Sequence, residues 1–168
     1  MKDLSGVRLL VTIKGADGKA HFVDDNAPHR FEIPGLVETR TLWRTTETPD
    51  LPGRMGTCPT EMAIVGAGGT NFGIACFAPH SAGKIDPKAI AKPGVDVAAD
   101  QQMHGHATVD YDIVISGKID LILDSGEVRT LTPGTMLVMG GSTHAWRNIY
   151  DEPCIFASVS VGATGSGT

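Results

Sequence analysis

Three histidines and one aspartate have the residue types and the spacing of a metal-binding site. One residue separates His104 from His106, and Asp110 follows four residues after the second histidine. In a β-strand, residues i and i+2 point to the same face, so we expect the two imidazoles to project together. Asp110 can return to that face once the intervening residues turn the chain. His144 lies in a later strand, which an antiparallel barrel can bring beside the first.

This set of side chains favours a borderline divalent ion, namely Fe, Mn, Ni, Cu or Zn. Four ligands leave one or two coordination positions open, which a catalytic metal requires and a structural metal lacks. A His-x-His pair alone is weak evidence, because a single strand histidine is more often a core or surface residue than a ligand. The addition of Asp110 and His144 leads us to predict a site for one divalent metal ion.

Asp112 is the predicted catalytic group. Strand alternation places it on the same face as Asp110, one step further into the barrel. A carboxylate that faces a barrel interior is costly unless it is paired or functional. Asp112 can therefore act as a general acid or base. The alternatives are that it lies at a wet barrel mouth or accepts a hydrogen bond from a backbone amide.

Three further residues are predicted to bind a small-molecule substrate. Trp146 and Asn148 share the parity of His144, and the indole can form a flat wall for a planar molecule. Core packing is an equally strong interpretation of Trp146, and Asn148 can instead be a structural hydrogen bonder between strands. Arg44 is a candidate for binding a substrate carboxylate, against the alternative of an exposed surface arginine.

Strands must hold these side chains, because helical periodicity is almost absent from the sequence. The stretch "VRLLVTIKGADGKAHFVDD" is typical of a hairpin with Asp17-Gly18 in its turn. "LVETRTLWRTT" and "NFGIACFAP" predict two more strands. From Met103 onward, strands recur at roughly the 8–12-residue spacing of a sandwich or barrel, mostly with Gly or Pro between them. The 21 glycines suit a turn-rich all-β chain.

Composition excludes several classes of protein. The 168 residues are 41% hydrophobic and 20% charged, which indicates one globular domain. A net charge of −5 argues against nucleic-acid binding. No apolar run approaches the roughly 20 residues that span a bilayer, so no membrane partner is expected. The start is no convincing signal peptide, and the three cysteines form neither a zinc pattern nor a disulfide framework. We therefore expect a cytoplasmic protein.

Two long segments, 46–69 and 78–102, lack the strand rhythm, and the second contains a predicted helical turn that begins at Asp86. We predict a single domain in three parts. Residues 1–70 form N-terminal strands and a long loop that pack on the barrel, residues 71–163 form the barrel core, and residues 164–168 form a disordered tail.

Two motifs resemble those of the cupin superfamily. The pattern H-x-H-x3-D-x6-G, from His104 to Gly117, looks like the first cupin motif, with aspartate in place of the usual glutamate. The run "PGTMLVMGGSTHAWRN", from Pro133 to Asn148, resembles the second motif, although it is one residue shorter and lacks the usual proline. The resemblance covers roughly Phe72 to Val161 and is similar to small bacterial single-domain cupins of the cupin 2 conserved-barrel type.

The resemblance implies an all-β fold: a single cupin β-barrel (a jelly-roll double-stranded β-helix), with the N-terminal hairpin as an extension. It also implies that the metal lies inside the barrel, on His104, His106, His144 and Asp110. The shorter aspartate is expected to reach the ion directly, through water, or not at all. Cupins often pair sheets or exchange N-terminal strands across a dimer, so the apolar hairpin leads us to expect a homodimer.

The predicted function is a metal-dependent cupin enzyme that acts on a small oxygenated organic metabolite. Iron or copper would suit dioxygenase-type chemistry, whereas zinc, nickel or manganese would suit lyase, isomerase or cyclase chemistry. A non-catalytic barrel that binds a small ligand is the alternative. A barrel with a vestigial site is disfavoured, because all four candidate ligands are intact.

Overall fold

Every regular element that the structure describes is a β-strand. The computed structural model describes residues 2–23, 28–51, 53–81 and 103–165. The predicted helical turn at Asp86 and the end of the predicted tail, residues 166–168, lie outside the described residues. In chain order the strands are β1 (Val11–Lys14), β2 (Ala20–Val23), β3 (His29–Ile33), β4 (Val37–Thr45), β5 (Thr70–Phe77), β6 (Thr108–Ser116), β7 (Ile119–Leu123), β8 (Val128–Leu131), β9 (Met136–Gly140), β10 (His144–Arg147) and β11 (Cys154–Gly162).

These strands form two principal sheets and one separate hairpin. The larger sheet has six strands in the order β3-β4-β5-β11-β6-β9, and the smaller has the order β10-β7-β8. All the described strand pairs are antiparallel. The predicted all-β fold is therefore confirmed. Within the described parts of the chain, no helix has the length and apolarity needed to cross a membrane.

The predicted N-terminal hairpin is confirmed. Strands β1 and β2 pair with each other from Val11 opposite Val23 to Lys14 opposite Ala20. Gly18 adopts a φ of 75°, which a residue without a side chain tolerates best. The hairpin forms a two-stranded sheet of its own rather than adding to either principal sheet.

The main hydrophobic core fills the space between the two principal sheets. Trp146 from the smaller sheet packs against Phe156 from the larger, with ring centroids 4.8 Å apart. The buried members of this core are Ala75, Val114, Ile119, Leu121, Leu131, Met139, Trp146, Cys154 and Phe156. This interface fixes the inward faces of β6 and β10, which carry half of the predicted site residues.

A second core lies on the opposite side of the larger sheet. Leu42, Ile74 and Ile155 point away from the main core and are covered by the N-terminal segment, chiefly by the fully buried Leu4. The N-terminal segment therefore packs against the outside of the larger sheet. Strands β3 and β4 belong to that sheet itself.

Leu42 is an extra residue in β4. Thr41 lies opposite Gly73 of β5, while Trp43 lies opposite Phe72, so the pairing register shifts at Leu42. A bulge of this kind reverses which side chains face the interior. Because of it, Arg44 shares the inward face with Asn71, its partner on β5.

Candidate metal and substrate site

The backbone brings His104 beside His144, at the free edge of β10. Each of the two residues donates its backbone N–H to the carbonyl oxygen of the other at 2.9 Å, as an isolated antiparallel bridge. Neither His104 nor His106 belongs to a strand, since β6 begins only at Thr108. The strand alternation that we used to pair the two histidines is therefore wrong. They lie in an irregular segment that leads into β6.

The three imidazole rings nevertheless lie next to one another. The ring centroids of His104 and His144 are 4.5 Å apart, and those of His104 and His106 are 5.5 Å apart. Burial, and to a smaller extent the charge of the neighbouring His104, lower the pKa of His144 to about 4. The same two causes lower the pKa of His106. These two imidazoles are therefore neutral near pH 7, which is the form that binds a metal ion.

A backbone carbonyl fixes the tautomer of His144. Nδ1 lies 2.8 Å from the carbonyl oxygen of Ser142, which can only accept a hydrogen bond. Nδ1 therefore carries the proton, and Nε2 holds the lone pair. Metal-binding histidines are usually held in this way, with one nitrogen donating to a carbonyl and the other left as a ligand.

The histidine cluster has further properties that suit a metal ion, but it is not preassembled around one. Nδ1 of His106 is buried and has no hydrogen-bond partner among the described residues, so this nitrogen is a candidate donor. The described residues contain no group of three or more His, Cys, Asp or Glu side chains arranged to hold a metal ion. The donor chemistry fits a divalent metal, whereas convergence of the donor atoms would require the side chains to reorient.

Asp110 lies on the inward face of β6 near the cluster. Its Oδ2 accepts a hydrogen bond of 2.7 Å from the hydroxyl of Thr108. Its negative charge acts on His106 and His144 and opposes the lowering of both pKa values. Asp110 therefore faces the imidazoles, as an acidic ligand or a water-linked ligand would.

Asp112 is a buried carboxylate on the same face. Only 7% of the residue is exposed, and its Oδ2 has no hydrogen-bond partner in the described structure. The pKa of Asp112 is raised to about 6, chiefly by burial; a hydrogen bond with the Ser158 side chain opposes the rise, and the charge of Asp110 contributes to it. The alternative of a position at a wet barrel mouth does not hold, because Asp112 is buried and its unpartnered carboxylate oxygen faces the interior.

Trp146 links the histidine cluster to the main core. Its ring meets the ring of His144 edge-on, with centroids 5.7 Å apart, and its other neighbours are Phe156 and Phe77. The residue is buried within the core. Trp146 therefore both packs in the core and forms the apolar wall beside His144.

Asn148 has a structural hydrogen-bonding role in this structure. It is fully buried, and its Nδ2 donates to the carbonyl oxygens of Phe77 at 3.3 Å and Glu152 at 2.8 Å. Its Oδ1 accepts from the backbone N–H of Tyr150 at 2.9 Å. Asn148 lies four residues beyond His144, about 13 Å along an extended chain. This placement matches the structural alternative rather than the predicted contact with substrate.

Arg44 links a loop to the larger sheet through hydrogen bonds. Its Nε donates to Oδ1 of Asn71 at 2.7 Å, and Nη2 lies 3.2 Å from the carbonyl oxygens of Glu61 and Ala63. Asn71 also donates to Ala63, at 2.8 Å. Arg44 lies three strands away from Asp110 in the sheet, about 14 Å. The structure does not bring this arginine to the histidine cluster, and its guanidinium is used for anchoring.

Sequence reasoning missed three residues that orient the predicted site. Ser158 hydrogen-bonds to Asp112, Thr108 donates to Asp110, and the Ser142 carbonyl orients His144. Ser158 had a detectable signal, because it and Ser160 alternate with apolar residues in "ASVSV", just as Asp110 and Asp112 alternate in β6. The role of the Ser142 carbonyl has no such signal, because every residue carries a backbone carbonyl.

No protein-family model matches the chain. Phomopsin biosynthesis cluster protein C' of Diaporthe leptostromiformis is 43% identical over 70 residues, which cover 37% of this chain and 37% of that protein. A cupin-domain-containing oxidoreductase of Hypocrea virens is 49% identical over 47 residues, covering 28% of this chain and 24% of that protein. Another, from Neurospora crassa, is 28% identical over 145 residues, covering 84% and 66% respectively. The chain thus spans little more than a third of the phomopsin cluster protein.

Two solved structures are similar in outline. An RmlC-like cupin from Shewanella frigidimarina superposes with a TM-score of 0.47 at 12% identity, covering 84% of this chain and 89% of the other. The polyketide cyclase RemF from Streptomyces resistomycificus gives a TM-score of 0.46 at 17% identity, covering 81% and 73%. The sequence relatives named above are fungal, so the bacterial cupin type that we expected is not confirmed.

Proposed function

We propose that this chain is a metal-dependent cupin enzyme that acts on a small oxygenated organic metabolite. In this proposal His104, His106 and His144 bind one divalent metal ion, and Asp110 is a fourth or water-linked ligand. Asp112 is the acid–base group. The small-molecule substrate, the identity of the metal and the cytoplasmic location remain predictions.

The observation that carries the proposal is the environment of Asp112. An unpartnered carboxylate oxygen in a protein interior costs free energy that a purely structural barrel has no reason to retain. Here that oxygen shares an inward face with Asp110, which lies near neutral imidazoles. Buried titratable groups of this kind concentrate at functional sites.

Each residue of the site has a distinct task under this proposal. When bound, a divalent metal would supply Lewis-acid chemistry or, as iron or copper, oxidative chemistry. Asp112 would hold or accept a substrate proton at Oδ2, and Ser158 would orient its carboxylate. Trp146 would exclude water beside His144 and lie against the apolar part of the substrate.

The names of the sequence relatives favour the oxidative branch of this chemistry. Proteins of Hypocrea virens and Neurospora crassa are named cupin-domain-containing oxidoreductases. The chain covers a quarter to two-thirds of those proteins. We therefore propose oxidoreductase chemistry with iron or copper ahead of lyase, isomerase or cyclase chemistry.

A non-catalytic barrel that binds a small ligand is the second candidate. What favours it is the geometry of the histidine cluster, whose donor atoms do not converge as they stand. In such a barrel the polar inward face would bind the ligand by hydrogen bonds, and Asp112 would take part in binding without transferring a proton.

Calorimetric titration with Zn²⁺ or Co²⁺ tests the metal site without any substrate. We expect the wild-type protein to bind about one ion, and His104→Ala combined with His144→Ala to lose that binding while the fold is retained, because the barrel has its own core. A matched control is His21→Ala combined with His80→Asn. His80 has a φ of 49°, which asparagine tolerates.

The proposal requires that the His104/His144 double variant and the control double variant differ in metal affinity. Equal affinity in the His104/His144 pair and the control pair would remove the proposed site, as would a wild-type protein that binds no ion. If metal binds as expected but a broad substrate screen gives no turnover, the ligand-binding barrel replaces the enzyme.

A further inference from the structure

One residue from each of five neighbouring strands forms a row across the inward face of the larger sheet. Residues paired across antiparallel strands share one face. This face is the inward one, because Val114, Phe156 and Ala75, each two residues from a member of the row, belong to the main core. The cross-sheet row, as we call it, consists of His29 on β3, Thr41 on β4, Gly73 on β5, Ser158 on β11 and Asp112 on β6, each opposite the next.

Gly73 leaves an open space at the middle of the cross-sheet row. Around the position that its Cβ would occupy, the backbone of β4 alone lies within 4 Å, with the carbonyl oxygen of Arg40 nearest at 3.1 Å. No side chain of the described residues fills this space, and Gly73 is partly exposed although β5 is a central strand. Its φ is not positive, so the backbone does not require glycine here. A glycine inside a strand often marks a place where a ligand approaches closely.

His29 ends the cross-sheet row with an unused ring nitrogen. The adjacent Arg30 forms ion pairs with Glu32 and Glu38 on the outward face, so β3 turns His29 inward. Nδ1 of His29 is buried and has no hydrogen-bond partner in the described parts of the chain. A buried polar atom without a partner costs free energy, which a hydrogen bond to a ligand would offset. His29 is therefore available to bind a polar group that lies over the row.

The chemistry at this end of the row suits a neutral oxygen rather than a carboxylate. A neutral imidazole and the hydroxyl of Thr41 can each donate a hydrogen bond to a carbonyl or a hydroxyl. Arg44 shares the inward face, but its guanidinium is engaged by the oxygens of Asn71 and of two loop carbonyls. The carboxyl group of Asp112 lies at the other end of the row. A ligand with a carboxylate at this end would gain little from these groups.

We propose that His29, Thr41 and Gly73 form a distal subsite that binds a neutral carbonyl, amide or hydroxyl group of an elongated substrate. This inference rests on the proposed function, since it assigns the reacting end of the same substrate to Asp112 and the histidine cluster. Gly73 lies two strands from Asp112 and two strands from His29, about 10 Å in each direction. A molecule that spans the row has its middle over Gly73, and the subsite selects it by its length and its distal oxygen.

Benzamide is a suitable probe, because it joins a flat ring, which the space over Gly73 admits, to one neutral amide. It is titrated into chelator-treated, metal-free protein, and the backbone amide signals of Thr41 and Gly73 are followed by NMR. For a ligand of this size we expect a dissociation constant on the order of 1–10 mM. Gly73→Val fills the space and should raise this constant at least about 10-fold.

Substitutions of His29 test the hydrogen bond and remain decisive if Gly73→Val fails to fold by circular dichroism. His29→Leu removes the polar nitrogen and should raise the dissociation constant about 3- to 10-fold. His29→Asn keeps a polar atom near the position of Nδ1 and should stay within about 2-fold of the wild type. Benzoate should bind more weakly than benzamide to the wild-type protein.

Two control variants carry matched changes elsewhere. Gly140→Val adds the same side chain to an outward strand glycine with open space around it, and His21→Leu alters an exposed histidine of the N-terminal hairpin. Both should bind benzamide as the wild type does. Unchanged affinity in Gly73→Val and His29→Leu would overturn the subsite, as would a wild type that binds no benzamide or that binds benzoate more tightly.

A Zn²⁺ titration of the same proteins keeps this inference distinct from the proposed function. We expect Gly73→Val and His29→Leu to bind Zn²⁺ as the wild type does, because the subsite contains no proposed metal ligand. A wild type that binds Zn²⁺ but not benzamide would remove the subsite alone. A wild type that binds benzamide through Gly73 and His29 but no Zn²⁺ would remove the proposed metal site and support the subsite.

Discussion

The polarity of the two faces of β6 is the reverse of that in an ordinary surface strand. Its inward side chains include Thr108 and Asp112, which are polar and buried, beside Val114 deeper in the core. Its outward side chains include Tyr111 and Ile113, which are large, apolar and well exposed. Most strands of antiparallel sheets bury the apolar side and expose the polar side.

The buried polar side chains and the exposed apolar side chains of β6 both cost free energy, and each feature indicates a different function. A buried carboxylate costs desolvation, which chemistry at a site can justify. An exposed apolar row risks aggregation, which a specific partner removes. A single strand therefore carries a side chain of the proposed reaction chamber on one side and an exposed apolar row on the other.

The largest expected effect comes from the inward side. Asp112→Asn keeps the size of the side chain and removes the base, so turnover should fall by about 10²- to 10⁴-fold. Metal binding and the folded state should persist. The measurement is kcat with any substrate that a screen identifies, beside a Zn²⁺ titration of the same variant.

The adjacent outward residue is the matched control for Asp112. Ile113→Lys lies one position along β6 and faces away from the site, so it should keep turnover per folded chain. If Asp112→Asn reacts at the wild-type rate, Asp112 is structural. If Ile113→Lys abolishes turnover without unfolding, the two sides of β6 are not functionally separate.

Replacing Arg44 tests whether the site extends along the inward face as far as β4. The expected effect, on stability, is smaller. Arg44→Ala removes hydrogen bonds to Asn71 and to two loop carbonyls, and should lower the free energy of unfolding by about 1–3 kcal/mol. Protease should also cleave the loop around Glu61 and Ala63 faster. Urea denaturation measures the first effect and limited proteolysis the second.

An exposed arginine serves as the control for Arg44. Arg129 lies on β8, where its side chain is 73% exposed, so Arg129→Ala should change stability by less than about 0.5 kcal/mol. A rise in KM for Arg44→Ala with unchanged stability would instead restore its predicted role in binding a substrate carboxylate.

Much of the fold follows from alternation and turn chemistry in the sequence. The hairpin around Asp17-Gly18 and the inward parity of Asp112 are both seen in the structure. These features depend on neighbouring residues alone. The domain boundaries and the metal ligands depend on more than that, and they remain predictions.

The features that the sequence did not predict depend on long-range geometry. A bridge to His144 positions His104, and neither His104 nor His106 lies in a strand. The bulge at Leu42 decides which way Arg44 faces, and nothing in "TRTLWRTT" distinguishes a bulged strand from a regular one. The amide of Asn148 is engaged by carbonyls that only the folded chain brings near it.

The most direct test of the central claim is elemental analysis of the protein purified without added metal or chelator. We predict about one equivalent of a single transition metal per chain, with iron or copper expected. We also predict loss of that metal in His104→Ala combined with His144→Ala. A folded wild-type protein without stoichiometric metal, or equal metal content in both proteins, would contradict the claim that this histidine cluster is a metal centre.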